Sequence, residues 1–332
     1  METFAFVKKL IGVIHKIIFI FFLIVGCNRD QEDQVNAGSD QSLKGSIAIS
    51  GAFALYPMTV KWAEEFNKVH PDVRIDISAG GAGKGMADAL SGTVDLGMFS
   101  RAIMQAEKER GVWWVAVCID AVLPTISAKN PVLADLKKQG LKRQAFVDIF
   151  MNGNIKTWPA SVGANGNIAI NIYTRSDACG AAGTWAQYLG GVQEDLKGIG
   201  VFGDPGLADA VKNDPLGIGF NNTIYIYNLN TNRKYDGLEV IPIDVNENGM
   251  IDKEENFYDT MDQVLKAIAD GRYPSPPARE LYLVANGKPK QTIVRKFLQW
   301  ILSEGQRFVA EAGYVKLSDE YINQEMKKLD EN

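Results

Sequence analysis

The apolar run from Val112 to Ser127, broken by Asp120 and Pro124, constrains the fold most. It suits a strand that leaves one lobe and enters another. On either side, short β-rich runs alternate with amphipathic stretches, the pattern of an α/β fold with helices covering a sheet. The spacing predicts strands over 46–50, 73–78, 95–100 and 168–174. It predicts helices over 57–69, 86–90 and 180–189, and helices between Leu136 and Asn152 that stop at Gly153. Pro57 opens its helix where a missing N–H costs nothing. A second strand-like run, Glu280–Asn286, precedes a helical stretch from Thr292 to Gly313 and is the candidate return crossing. Two crossings make a two-lobed clamp, with one lobe expected from 45–118 plus 285–332 and the other from 119–284.

The N-terminus sets the compartment. Lys8, Lys9 and Lys16 precede an apolar run, Ile17–Val25, that is too short to span a bilayer as a mature helix and reads as an export signal over 1–26. It ends at Leu23-Ile24-Val25-Gly26-Cys27, which resembles the bacterial lipobox, so Cys27 is the expected lipidation site and first mature residue. The alternative is an ordinary secretory signal with a chance cysteine. Two or more acyl chains anchor stably to a membrane. Residues 28–44 are polar with almost nothing apolar, which makes 27–44 an anchor and tether.

Several function classes lose their material. Loss of Lys8, Lys9, Lys16 and Glu2 with the leader takes the formal charge from −5 to −7, which argues against nucleic acid. Only His15 and His70 exist, and His15 leaves with the leader, so His-based triads and His-ligated zinc are disfavoured. Cys118 and Cys179 can pair in an oxidising envelope or remain two thiols, and their separation leaves both open.

Three strand-to-helix junctions are rich in small residues: Gly51–Tyr56, Ala79–Gly85 and Asp177–Ala182. A helix N-terminus presents unpaired N–H groups and the positive end of a dipole, so small side chains there admit an oxyanion to the backbone. Tight turns and close packing explain any one such loop; three of them, one beside Arg175-Ser176-Asp177, favour the anion. Lys84 is followed by Gly85, not Ser or Thr, so the Walker A pattern fails, and the glycine spacing misses the dinucleotide fingerprint. Arg175 offers a two-pronged donor set to a tetrahedral oxyanion, and Asp177 would orient it or accept the ligand's proton. A plain salt bridge is the simpler alternative.

These segments resemble the phosphate-binding proteins of high-affinity phosphate ABC transporters, a type II periplasmic-binding-protein family. The matching stretches are Gly51–Pro57, Gly80–Gly83, Thr93–Arg101, Arg175–Asp177, Leu281–Pro289 and Gly313–Val315. The resemblance implies two mixed sheets with flanking helices joined by two hinge crossings. It implies a non-enzymatic, monomeric solute-binding protein that captures phosphate or a similar small oxyanion and delivers it to an ABC permease in the membrane. An envelope sensor or scavenger with the same fold is the alternative. Carried over by position, it implies ligand contacts at Leu55, Tyr56, Ala82, Ser100, Arg175, Asp177, Cys179, Gly180 and Ala181. This chain departs from the family at several of them. Ala82 stands where a serine is common, Cys179-Gly180-Ala181 replaces Ser-Gly-Thr, and Ser100 stands where some members carry an acid that accepts the proton of hydrogen phosphate. Asp177 is then the best remaining acceptor, with Asp120 second.

Residues 244–255 fit the twelve-position calcium loop. Asp244, Asn246, Asn248 and Asp252 supply oxygens, Met250 its carbonyl, Glu255 a bidentate carboxylate, and Gly249 the sharp turn. A strand-like Leu238–Ile243 precedes the loop and a helix is expected from Phe257, so the expectation is a lone structural Ca²⁺ clip. A solvated acidic turn is the alternative.

Overall fold

The computed structural model describes residues 43–330; the expected export signal over 1–26, Cys27 and the expected tether up to residue 42 lie outside the described residues. Eleven strands are present among the described residues: β1 (Gly45–Gly51), β2 (Val73–Ala79), β3 (Leu96–Phe99), β4 (Val112–Ser127), β5 (Asn171–Arg175), β6 (Ile199–Val201), β7 (Gly217–Asn222), β8 (Tyr227–Asn228), β9 (Arg233–Lys234), β10 (Leu238–Val240) and β11 (Ala278–Asn286).

One ladder path runs β2-β1-β3-β11-β4-β7-β5-β6, with β10 also on β4. The parallel pairs β1–β2 and β1–β3 need crossovers, supplied by the helices Tyr56–Val69 and Ala82–Ser91. Parallel β5–β7 and β5–β6 pairs repeat that arrangement farther along the path.

The apolar run singled out in the sequence is the long strand β4. Its first part, Val112–Ala121, pairs antiparallel with β11, and the following residues, Val122–Ile126, pair with β7. Two sheets therefore share one strand. Pro124 gives no N–H to the β7 ladder, and its carbonyl accepts the N–H of Ile241 at 3.0 Å instead.

Two hydrophobic cores flank this shared strand. The first holds Ile47, Trp62, Phe66, Met98, Val115, Leu283 and Phe297; the second holds Val122, Phe146, Phe150, Trp158, Trp185 and Phe220. Each fully buried Phe or Leu contributes about 1.5–3 kcal/mol. The cores divide between Cys118 and Ala121 on β4 and between Ala278 and Leu281 on β11, where the sequence reading put the return at 284/285. The β4–β11 register shifts at Leu281/Tyr282, on the first-lobe side of this crossing. We call the two halves the first and second lobe.

Some boundaries differ from the sequence reading for local reasons. The helix expected at Met86 starts at Ala82, because Gly81, at φ 93°, turns the chain and the small residues after it complete a first helical turn. The helix expected from Phe257 starts at Met261, where Thr260 and Gln263 form a capping box. The stretch from Thr292 breaks after Ile301, then resumes as a short 3-10 turn whose Gly305 carbonyl accepts from buried Trp62 Nε1 at 2.9 Å.

Candidate functional site

The small-residue loops lie together because each follows a strand of the shared path. Within the first lobe, Gly80 and Gly81 both donate N–H to Gly51 O, at 2.9 and 3.0 Å, and Ala52 N donates to Met98 O at 2.9 Å. A Cβ on Gly51 would lie 2.7 Å from Gly85 Cα, so glycine is required by backbone contact.

The glycine loop also meets the second lobe. Gly83 N donates to Ala178 O at 3.0 Å, and a Cβ on Gly83 would stand 2.8 Å from Ala178 Cβ. One on Gly81 would stand 2.8 Å from Asp177 Oδ2, and one on Gly180 would collide with the Ser100 carbonyl and Oγ. Ser100 and Gly180 are thus in contact, as are the Ala82 helix start and Asp177-Ala178.

Leu55 and Tyr56 stand differently. Leu55 is the buried cap residue of its helix, and the N–H groups of both donate to Ala52 O at 3.2 Å. Their loop reaches the arginine through Phe53, whose ring lies 5.6 Å from the Arg175 guanidinium.

Arg175 ends β5, and its side chain is wholly buried. Nε donates to Asp177 Oδ1 at 2.8 Å, Nη2 to Asp177 Oδ2 at 2.6 Å, and Nη1 to Asp204 Oδ2 at 2.5 Å. A guanidinium has five N–H groups, so two are left over from these three bonds. Burial works against the charge, but the Asp204 carboxylate and its neighbours outweigh it and hold the guanidinium above its ordinary value. Burial also raises the Asp204 carboxyl, against the pull of Arg175.

The helix Gly180–Leu189 begins beside Arg175 with Gly180 and Ala181 in its first turn, where an α-helix supplies no acceptor for the N–H groups. Cys179 caps it, its Sγ accepting from Ala182 N at 3.2 Å. Burial pushes the Cys179 thiol up to about 12 despite the nearby Arg175, so it is a neutral thiol. Gln193 clamps the loop, accepting from Cys179 N at 3.2 Å and donating to Asp177 O at 2.7 Å. Cys118 lies in the first core and Cys179 in the second, and both are free and buried.

The sequence reading missed Asp204, Phe53, Gln193 and Tyr225. Asp204 sits at the start of the helix Asp204–Asn213 and accepts from Asn222 Nδ2. Asn222 in turn accepts from Arg279 Nη2, and Arg279 pairs with Asp120 at 2.8 and 3.2 Å from directly opposite it on β11 and β4. Asp120, weighed above as a proton acceptor, has both oxygens on Arg279. Only Gly203-Asp204-Pro205, a helix-start signature after a strand, hinted at Asp204 in the sequence.

The twelve-residue loop is ordered by its own groups. Asp244 accepts the N–H groups of Asn248 and Gly249 at 3.2 and 2.9 Å, and Asp252 Oδ2 accepts from Asn246 and Asn248 side chains at 2.8 and 2.9 Å. Gly249 has φ 85°. Glu255 Oε1 takes the N–H groups of Val245 and Asn246, at 2.8 and 3.0 Å. Met250 is exposed. The oxygen-only donor set suits a hard cation. Among the described residues, no three acidic, His or Cys side chains converge as a metal cluster.

Comparison with known proteins agrees with this geometry. The phosphate-binding protein PstS of Bacillus subtilis is 25% identical over 291 residues, covering 86% of this chain and 85% of that protein. A structure from Clostridium perfringens, assigned as a phosphate ABC transporter substrate-binding protein and solved with phosphate, superposes with a TM-score of 0.68 at 23% identity, covering 82% of this chain and all of the other. An ABC-type phosphate transport receptor from Vibrio cholerae superposes at 0.60, with 19% identity and coverage of 82% and 100%. The family model described as the PBP superfamily domain matches residues 36–305. The shared strand, the two cores and this match together place the chain: it belongs to the PBP superfamily, with the two-lobed α/β fold of type II binding proteins.

Proposed function

We propose that the chain captures inorganic phosphate between its lobes and delivers it to an ABC importer. The observation that carries this reading is Arg175, buried and charged, with two N–H groups left over beside the first turn of the helix Gly180–Leu189. Main-chain N–H groups and one arginine recognise a tetrahedral oxyanion without a basic surface. The names of the relatives support phosphate in particular. No chemistry is required. Binding favours the closed arrangement, and that form docks on the permease. Titration calorimetry of the chain lacking residues 1–27 against phosphate, arsenate, sulfate and molybdate tests this; binding of none of them would end the reading.

Export and anchoring through Cys27 belong to the same proposal, supported by the leader's lysines and apolar run. Among the described residues, no helix is long and apolar enough to cross a membrane. Residues 244–255 would hold Ca²⁺ as a clip on the second lobe. The twelve-position match supports this, and binding would require Glu255 to release the N–H groups of Val245 and Asn246.

A further inference from the structure

Phe53 lies in the first-lobe loop between β1 and the helix Tyr56–Val69, yet three of its contacts are with the second lobe. Its ring lies 5.6 Å from the Arg175 guanidinium and meets Phe202 edge-on, with centroids 6.0 Å apart at 86°. Its carbonyl accepts the hydroxyl of Tyr225 at 2.9 Å. Gly203, at φ 75°, makes room, since a Cβ there would stand 3.3 Å from Phe53 Cζ. Phe202 is 63% exposed, and no core packing accounts for its position against Phe53.

These contacts converge on the segment that orients the arginine. Phe202 and Gly203 immediately precede Asp204, the partner of Arg175 Nη1, and Gly203 N donates to Asp177 Oδ1 at 3.2 Å. Phe53 therefore stands against both the guanidinium and the turn that holds it. Tyr225 is half-buried with its phenol raised by that burial, so it is a permanent donor at neutral pH.

We propose that Phe53 and Tyr225 form a latch between the lobes that shields Arg175 from water and sets how fast a bound anion escapes. The proposal rests on the reading of Arg175 as an oxyanion site, and it adds residues that touch no ligand. An edge-to-face ring pair, a guanidinium over a ring and one neutral hydrogen bond are each modest interactions. That scale suits a release device: a latch too strong would keep the lobes shut without ligand, and a ligand shifts the equilibrium only by its preference for the closed form. Because each contact is modest, the latch holds only part of the ligand-free population closed, so its loss acts mainly on escape from the closed, loaded form and changes entry little.

The test uses Tyr225→Phe, which removes only the hydroxyl, in the chain lacking residues 1–27. Spin labels at Val69→Cys and Val192→Cys, exposed positions on opposite lobes, report lobe separation without any ligand, while stopped-flow reports phosphate escape. The latch predicts an escape rate about 3- to 10-fold faster, entry changed less than about 2-fold, and a shift of the ligand-free distances toward longer values. Phe202→Ser, at a mostly exposed position, must act in the same direction and guards against a folding artefact in one variant. Unchanged distances and escape in both variants overturn the latch. If the unmutated chain binds no phosphate, the oxyanion reading fails on its own, and the ligand-free distances still decide whether the latch exists.

Discussion

Arg175 Nη1 and Asp204 Oδ2 are 2.5 Å apart, and neither side chain is more than 3% exposed. The pair fixes the arginine from the side opposite Asp177, and it joins the arginine through Asn222 to the Arg279–Asp120 pair at the crossing strands. Removing one partner of a buried pair leaves an uncompensated charge, at a cost of about 3–5 kcal/mol. Asp204→Ala should lower the unfolding free energy by that order in urea melts. Asp204→Asn, which still offers Arg175 an oxygen, should lose less and keep phosphate affinity within a few-fold. Equal losses from the two would show that the negative charge, which both variants lack, and not the hydrogen-bond acceptor is what Asp204 supplies.

Gly180 is a second point of leverage. A methyl there collides with Ser100 on the facing lobe, so Gly180→Ala should weaken phosphate binding by more than about ten-fold with little change in melting temperature. Calorimetry on the variant checks this, and unchanged affinity would mean that Ser100 and Gly180 do not border the ligand.

Cys179 is held neutral by burial, which predicts that it resists alkylation in the folded chain at pH 8 and reacts only on unfolding. Replacement by serine keeps a hydrogen-bond acceptor at the helix cap, an oxygen in place of the sulfur, so Cys179→Ser should fold normally, whereas Cys179→Ala should lose about 1 kcal/mol. Thiol counting with and without denaturant, followed by thermal melts, separates these outcomes.

Asp214 supports the strand that carries Arg175. Burial works against its charge, but Asn171 Nδ2, Leu216 N and Tyr173 Oη donate to it at 2.8–2.9 Å and hold its carboxyl below the ordinary value. A depressed carboxylate adds stability above its unfolded value, near 3.9, and loses it as pH falls through the folded value. Asp214→Ala should therefore cost about 1–3 kcal/mol at pH 7, and its gap from the unmutated chain should shrink below about pH 4. A gap independent of pH would contradict the assignment.

For the twelve-residue loop, millimolar Ca²⁺ should raise the melting temperature of the unmutated chain, and Glu255→Ala should abolish that rise while phosphate still binds. Loss of phosphate binding in a folded Glu255→Ala chain would contradict a purely structural clip.

Much of this architecture was legible because local chemistry and global fold agree. Gly180–Leu189 reads as a helix from both ends, with a capping residue before it and a glycine in the left-handed region after it. Val112–Ser127 reads as a crossing strand because a long apolar run broken by Asp120 and Pro124 fits neither a helix nor a half-exposed strand. The rest depends on distant partners. Asp204 meets Arg175 across 29 positions because β5, β6 and β7 run parallel side by side, and Tyr225 meets Phe53 across 172 because the lobes face each other. No local pattern encodes such pairs. The lobe boundary on β11 has no local mark either: Leu281 and Leu283 alternate as any strand would, and only packing assigns them to the first core.

The central claim, an oxyanion held at Arg175, is tested most directly by ³¹P NMR of the chain lacking residues 1–27 with equimolar phosphate. The account predicts a bound resonance distinct from free phosphate that is absent in a folded Arg175→Ala chain. A single free-phosphate line with the unmutated, folded protein, or an unaltered bound line in Arg175→Ala, would contradict it.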